Sequence, residues 1–283
     1  MGPKSRFSMR VRAALVNPKK LWIAIKRRSY VRLYGLIRRH PDLVTERRWD
    51  NLIVLDACRF DAFAQLNKIP GKLSKMISPG SKTEEWMIAN FSNKRMKDVI
   101  YVSANPYVSH FNLRQMFGTN PFYRVVEVWK YGWSEELETV HPFAVNEATL
   151  INLKKHSEKR FIIHYIQPHF PFIGKYRIWN KGWGHIRKAV LRHSWDRLEP
   201  EGYDVWQAFE NGVLDELSVW KAYLSNLELV LAYVEKLLPR LGGVTCITSD
   251  HGSAFGKFGV FYKHPGKTPL PELIEVPWLE VEK

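Results

Sequence analysis

The chain is 283 residues long, 45% hydrophobic, 13% aromatic and 25% charged, which excludes wholesale disorder because the aromatic content alone supplies ample core-forming surface. Its two cysteines, Cys58 and Cys246, lie inside apolar runs, which excludes a disulfide-built scaffold and predicts two reduced core thiols. The formal charge of +15 belongs to one end: residues 1–41 hold 12 Lys/Arg and no acid, and the rest is nearly balanced at 31 basic against 28 acidic residues.

Residues 1–41 therefore read as a basic N-terminal arm ahead of a nearly charge-balanced domain over 42–283. Within the arm, residues 20–39 (KLWIAIKRRSYVRLYGLIRR) set Leu21, Ile25, Leu33 and Leu36 among closely spaced cations, which predicts a basic amphipathic helix. Such a helix suits an anionic membrane surface, where each cation contributes about 1 kcal/mol. Packing on the domain and nucleic-acid binding are the alternatives. The longest apolar run in the arm, Leu21 to Ile25, is too short for a membrane span or a signal peptide. The expected location is cytoplasmic, peripheral on the inner membrane face.

Residues 51–57, NLIVLDA, form a continuous apolar run ending in a carboxylate, as in a buried parallel strand. Further strands are expected at 99–103, 123–128, 161–166, 244–248, 259–262 and 276–281. Helices are expected at 62–66, 84–91, 145–155 and 205–241. Strands alternating with helices predict the α/β class, as a three-layer α/β/α sandwich around a mostly parallel sheet. Residues 175–204, rich in Trp, His and Arg, interrupt the alternation and read as a substrate lid or a small packed subdomain.

In an open α/β sheet, ligands collect beyond the carboxyl ends of the strands. The first strand ends in Asp56, the strand at 161–166 leads into QPHFPF with His169, and the strand VTCIT ends in Ser249, Asp250, His251 and Gly252. His264 follows shortly after. Carboxylates with imidazoles are a donor set for Zn²⁺ or Mn²⁺. Asp250 and His251 need a turn to converge, and Gly252 would permit one. Singly, each residue has an ordinary explanation as a helix cap or a satisfied histidine. Jointly they point to a divalent metal.

LDACRFD, HYIQPHFPF, TSDHG and YKHPGKTPLPELIEVPWLEV, in this order over roughly 50–281, resemble the alkaline phosphatase superfamily, and within it the sulfatase-like hydrolases and transferases. The resemblance implies an alkaline-phosphatase-like fold. It implies a divalent metal, Zn or Mn first and Mg or Ca as alternatives, with a second metal beside it in two-metal members. Asp56, Asp250 and His251 match the ligands of the first metal, and His264 matches a ligand of the second. His169 matches a residue that contacts the transferred group or the second metal, and Arg59 one that is structural or anion-facing. His164, Asp204 and Asp215 are the remaining candidates around a second metal.

The superfamily's nucleophile sits at a helix N-terminus some tens of residues after the first aspartate, here within SPGSKTEEW. Thr83 is the first choice, also as a metal ligand, and Ser81 the second. Gly80 would let the chain turn there, and free backbone N–H groups would cradle a phosphate. A plain N-cap is the alternative for either hydroxyl. The Cys-x-Pro-x-Arg motif of formylglycine sulfatases is missing, so threonine chemistry is implied, as in phosphodiesterases and the phosphoethanolamine and phosphoglycerol transferases.

The implied activity is hydrolysis or transfer of phosphate esters, with sulfate second, through a covalent threonine intermediate. Lys82 and His169 would offset charge on the transferred group. Trp179, Trp183, His185 and Trp195 suit a sugar ring beside an anion, which together with the arm suggests a glycan or lipid-linked substrate. A nucleic-acid-binding protein acting through the arm and a catalytically silent scaffold are the competing functions. Nucleic acid is not expected as a partner, because the body of the chain is nearly balanced in charge.

Overall fold

The computed structural model describes residues 18–37, 39–178, 182–194 and 205–282. Trp179, Trp195, Asp204 and residues 1–17 of the arm lie outside the described residues. The helices are α1 (Pro18–Gly35), α2 (Phe60–Leu66), α3 (Thr83–Phe91), α4 (His110–Phe117), α5 (Val128–Tyr131), α6 (Pro142–Lys155), α7 (Gly184–Leu191), α8 (Val205–Glu210), α9 (Glu216–Leu237) and α10 (Pro271–Ile274). The strands are β1 (Asn51–Leu55), β2 (Gly71–Ile77), β3 (Met96–Ser103), β4 (Phe122–Glu127), β5 (Trp133–Ser134), β6 (Thr139–Val140), β7 (Arg160–Tyr165), β8 (Thr245–Thr248) and β9 (Glu275–Val281).

Seven strands share one sheet in the order β2-β9-β8-β1-β7-β3-β4. From β8 to β4 all neighbours are parallel, and β9 runs antiparallel to both β8 and β2. Every residue of β1 is buried, which is why NLIVL reads as an unbroken apolar run. Side chains alternate across a strand, so Ile53 and Leu55 join one core with Phe63, Val145 and Val230 of α2, α6 and α9. Leu52 and Val54 join the other core with Trp86 and Phe91 of α3 and Leu113 of α4. Helices thus cover both faces, and the expected sandwich is present. Cys58 and Cys246 are buried free thiols.

Two expected elements differ, and one strand was not foreseen. Residues 259–262 are not a strand but turns with one isolated bridge, Lys257 to Phe261. Val260 and Phe261 are apolar because α1 covers them. The expected long helix at 205–241 is two helices. Gly212 adopts φ 72°, and Asp215 caps α9 by accepting from the Ser218 N–H at 2.8 Å. That cap accounts for Asp215 and removes it as a metal candidate. Strand β2 was not expected; Lys72, Ser74 and Lys75 are exposed on this edge strand, so no apolar alternation marks it.

Helix α1 docks on the body through Ile23, Tyr30, Val31 and Tyr34, with Tyr30 stacked on Phe258 at 3.9 Å. Lys26 and Arg27 donate to the carbonyls of Phe258 and Val260. Leu21, Ile25, Leu33 and Leu36, the apolar stripe legible in the sequence, stay exposed together with Trp22. The helix therefore carries two apolar faces, one docked and one facing solvent. Among the described residues no helix is long and apolar enough to cross a membrane.

Candidate metal centre and nucleophile

Parallel pairing of β8, β1 and β7 aligns their carboxyl ends, so residues nearly 200 positions apart meet at one edge. Asp56, Asp250 and His251 are each fully buried there, with ligand atoms within 4.8 Å of one another. His251 Nε2 lies 3.6 Å from Asp56 Oδ1 and 3.5 Å from Asp250 Oδ2. Its Nδ1–H donates to the Gly252 carbonyl at 2.8 Å, which turns the Nε2 lone pair toward the carboxylates. Asp56 Oδ1 and His251 Nε2 are buried without a hydrogen-bond partner. Two acceptors facing each other without a donor are what a cation would satisfy, so the residues fit a divalent metal.

The electrostatics agree. Burial, together with the neighbouring charge of Asp250, pushes the Asp56 carboxyl well above its usual range, and the Asn105 hydrogen bond opposes this. Burial works on Asp250 in the same direction, but His251, His164 and the Thr83 hydroxyl outweigh it and hold Asp250 below the usual range. Two carboxylates that cannot both ionise comfortably gain from a dication between them.

Thr83 opens α3, and its Oγ1–H donates to Asp250 Oδ2 at 2.6 Å. Ser81 is turned away: its hydroxyl donates to the Pro265 carbonyl at 2.8 Å, and its N–H donates to Glu85 at 3.1 Å. Of the two candidate hydroxyls, only Thr83 reaches the triad. Gly80 sits where a Cβ would lie 2.6 Å from the Trp86 nitrogen, and Gly252 where a Cβ would lie 2.1 Å from the Glu272 carbonyl oxygen. Neither has positive φ, so both glycines serve close backbone approach rather than a left-handed turn. The residue in the left-handed region is Ala57, at φ 57°, held by its N–H to Asp250 Oδ1 at 3.1 Å and by the Tyr223 hydroxyl donating to its carbonyl at 2.9 Å.

His169 and His264 stand beside the triad. Their Nε2 atoms are 3.0 Å apart, and the His264 ring lies 4.5 Å from that of His251. Burial and the neighbouring imidazoles hold His264 well below the usual histidine range. No third ligating side chain completes a set with this pair among the described residues. His164 Nε2 is 3.7 Å from Asp56 Oδ2, and its Nδ1 bonds the Tyr101 hydroxyl at 2.9 Å. Burial pushes it down to about 4, against the pull of Asp250, so the ring is neutral at physiological pH. Lys82 pairs with Glu84 at 2.6 Å on the rim. Arg59 points elsewhere: it pairs with Asp61 and lies over the Trp220 ring at 4.9 Å, a structural role.

Asn105, just past β3, had no place in the sequence reading. Its Nδ2 donates to Asp56 Oδ2 at 2.6 Å and lies 3.4 Å from Thr83 Oγ1. The rule that found the aspartates, a polar residue beyond a buried strand, would have found it had amides been included. A cavity of about 440 Å³ opens over the site, with Asp56, Thr83, His169, Trp183, Lys263 and His264 on its walls. Trp183 and His185, from the segment read as a lid, line it too, while Ala189 and Val190 of α7 are buried, so this part of the segment is packed structure.

No protein-family profile and no curated protein matches the sequence. Solved structures do. The chain is similar to the soluble domain of lipooligosaccharide phosphoethanolamine transferase A from Neisseria meningitidis, at 12% identity and TM-score 0.52, over 82% of this chain and 75% of that one. It is similar to the integral membrane form of that transferase at 13% identity and TM-score 0.50, over 86% of this chain and 49% of that one, so it spans about half that protein's length. The C-terminal periplasmic domain of phosphoethanolamine transferase EptC from Campylobacter jejuni matches at 12% identity and TM-score 0.48, over 81% and 77%. At these identities the likeness is one of fold, and it agrees with the α/β sandwich around a mostly parallel sheet that the sequence predicted. The expected cytoplasmic location is corrected by the same findings. In the Neisseria transferase the fold is the soluble domain of an integral membrane protein, so the shortness of apolar runs within a sequence of this fold is no guide to its compartment.

Proposed function

We propose that the chain is a metal-dependent enzyme that transfers or hydrolyses phosphate esters, sulfate esters second, with Thr83 as nucleophile and a lipid-linked or glycan-bearing substrate. One arrangement carries this reading: the Thr83 hydroxyl donates at 2.6 Å into a buried Asp56–Asp250–His251 cluster whose facing acceptors lack partners. A hydroxyl is a weak nucleophile, and a divalent cation held by Asp56, Asp250, His251 and Thr83 would lower its pKa. Zn²⁺ or Mn²⁺ suits two carboxylates and an imidazole, with Mg²⁺ and Ca²⁺ as alternatives.

The chain's own groups do the rest. Asp250 Oδ2 is the first acceptor of the Thr83 proton. Asn105 Nδ2 would hold Asp56 Oδ2 and the Thr83 hydroxyl in position, and Lys82 and His169, on the cavity wall, would offset charge on the leaving group. The His169–His264 pair would be the seat of a second cation. The assembled triad speaks against a silent scaffold. A lipid-linked substrate is supported by the lipooligosaccharide named for the structural relative and by the aromatic wall of the cavity. Contact with an anionic membrane surface would run through the solvent-facing stripe of α1.

The test is intact-mass analysis after incubation of the Zn²⁺- or Mn²⁺-loaded protein with bis(4-nitrophenyl) phosphate. The expected result is one nitrophenyl-phosphoryl adduct on Thr83, no adduct in Thr83→Ala, and turnover lowered about 10³-fold or more. Turnover retained in Thr83→Ala overturns the assignment.

A further inference from the structure

A cavity of about 380 Å³ lies between the end of α1, the loop at 78–81 that leads into α3, and the turn at 267–269. It shares no lining residue with the cavity over the metal cluster. Arg39 lines it, and the guanidinium Nη1 is buried without a hydrogen-bond partner. Glu275 stands 3.5 Å from that nitrogen, beyond hydrogen-bond length, and is shared with Lys75 at 2.7 Å. A buried guanidinium donor left open costs free energy until an acceptor reaches it. Lys267, exposed, is the other cation on the wall. The acid on the wall, Glu85, is already engaged: it accepts from the Ser81 N–H at 3.1 Å and the Lys267 N–H at 2.9 Å. Much of the remaining wall is apolar, with Ile37, Pro269 and Ile274. Ile37 is itself exposed, and with Leu33 and Leu36 it brings the solvent-facing stripe of α1 to the cavity. A guanidinium inside and an apolar strip leading away from it match an amphiphile with an anionic head.

We propose that this cavity holds the phosphate of an anionic phospholipid, with the acyl chains lying along Leu33, Leu36 and Ile37. This rests on the reading that α1 meets a lipid surface, and it names the headgroup and the residues that take it. The planar fork of an arginine matches phosphate oxygens, so Arg39 carries the recognition and Lys267 adds charge at the rim. The arm around it holds 12 Lys/Arg and no acid, which favours an anionic bilayer over a zwitterionic one. Inorganic phosphate would satisfy the guanidinium but leave the apolar rim in water. The lipid is bound and not turned over here. The hydroxyls on the wall are committed to backbone carbonyls, Ser81 to that of Pro265 at 2.8 Å and Ser78 to that of Asp250. Ser81 is two residues from Thr83, so a headgroup seated against this loop holds the nucleophile at a fixed height above the membrane.

The test is isothermal titration of the full chain with dihexanoyl phosphatidylglycerol below its micelle concentration. Saturable binding is expected, weakened at least about tenfold by Arg39→Gln. Gly35→Glu is expected to weaken it as much. Gly35 lines the cavity and an added Cβ there meets nothing within 4 Å, so this variant sets a carboxylate at the rim without a clash. Arg28→Gln removes the same charge from an exposed position of α1 outside the cavity, and the affinity should stay within about twofold. Wild-type affinity in both Arg39→Gln and Gly35→Glu overturns the proposal. So does inorganic phosphate or dihexanoyl phosphatidylcholine binding as tightly as the anionic lipid. Failure of the underlying reading shows separately, as vesicle flotation unchanged by Trp22→Ser with Leu33→Ser.

Discussion

Replacing Gly252 by alanine tests whether a close backbone approach holds the two consecutive candidate ligands, Asp250 and His251, in place. An added Cβ would lie 2.1 Å from the Glu272 carbonyl oxygen and 3.1 Å from its carbon. The Gly252 N–H already donates to the Leu273 carbonyl at 2.8 Å, which pins the segment against α10. Contacts of a real Cβ stay beyond 3.0 Å, so the backbone must retreat by about 0.9 Å to relieve the overlap. The His251 ring is tied to the carbonyl of Gly252 itself, so that retreat displaces and turns the imidazole. Overpacking of this kind costs about 1–3 kcal/mol, and misplacing a reacting group by about 1 Å costs on the order of 10²-fold. The expected outcome is a stability loss of that size in urea unfolding and a comparable drop in Zn²⁺ affinity by isothermal titration. Gly242→Ala is the control: its added Cβ meets nothing within 4 Å, and the expected change is below about 0.5 kcal/mol. Wild-type metal affinity in Gly252→Ala would refute the claim that this contact positions the ligands.

Asn105→Ala is expected to lower kcat on the order of 10²-fold while metal content is retained, as for misplacement of Asp56 and Thr83; a change within threefold by steady-state kinetics contradicts the role. Asp250→Asn combined with His251→Ala is expected to abolish stoichiometric metal uptake, and unchanged metal content by elemental analysis removes the centre. Glu127, partly buried at the end of β4, is raised by burial but held below its ordinary value by hydrogen bonds from Lys130 and His110. A depressed carboxylate stabilises above its unfolded value near pH 4.3 and loses that contribution as pH falls through the lower folded value. Glu127→Gln should therefore cost about 1 kcal/mol at pH 7 and little at pH 3, and a pH-independent difference in urea melts rejects this. Trp22→Ser with Leu33→Ser changes the solvent-facing stripe of α1 and spares its docked face; flotation with phosphatidylglycerol vesicles should fall, and equal recovery rejects a lipid role.

The candidate metal ligands were legible because each follows a strand buried on both faces, and such strands announce themselves as unbroken apolar runs. Asp56 after NLIVL and Asp250-His251 after TCIT needed only the rule that ligands gather at carboxyl ends. Edge strand β2 escaped because its exposed lysines erase the alternation, and 259–262 misled because a helix, not a sheet, buries it. Thr83 and Ser81 could not be separated by spacing alone: both flank the start of α3, and the choice rests on which hydroxyl faces Asp250.

The sequence by itself determined the layer architecture, the donor chemistry and the presence of a hydroxyl at a helix start, since these depend on periodicity and residue type over short spans. Tertiary structure decided that Asn105 and His164 attend Asp56, that Gly252 answers a carbonyl from α10, that α1 keeps its more obvious apolar stripe outward, and that Arg39 shares a cavity with the loop ahead of Thr83. Those relations join segments far apart in the chain, and only the packing of the sheet and its helices sets the distances between them.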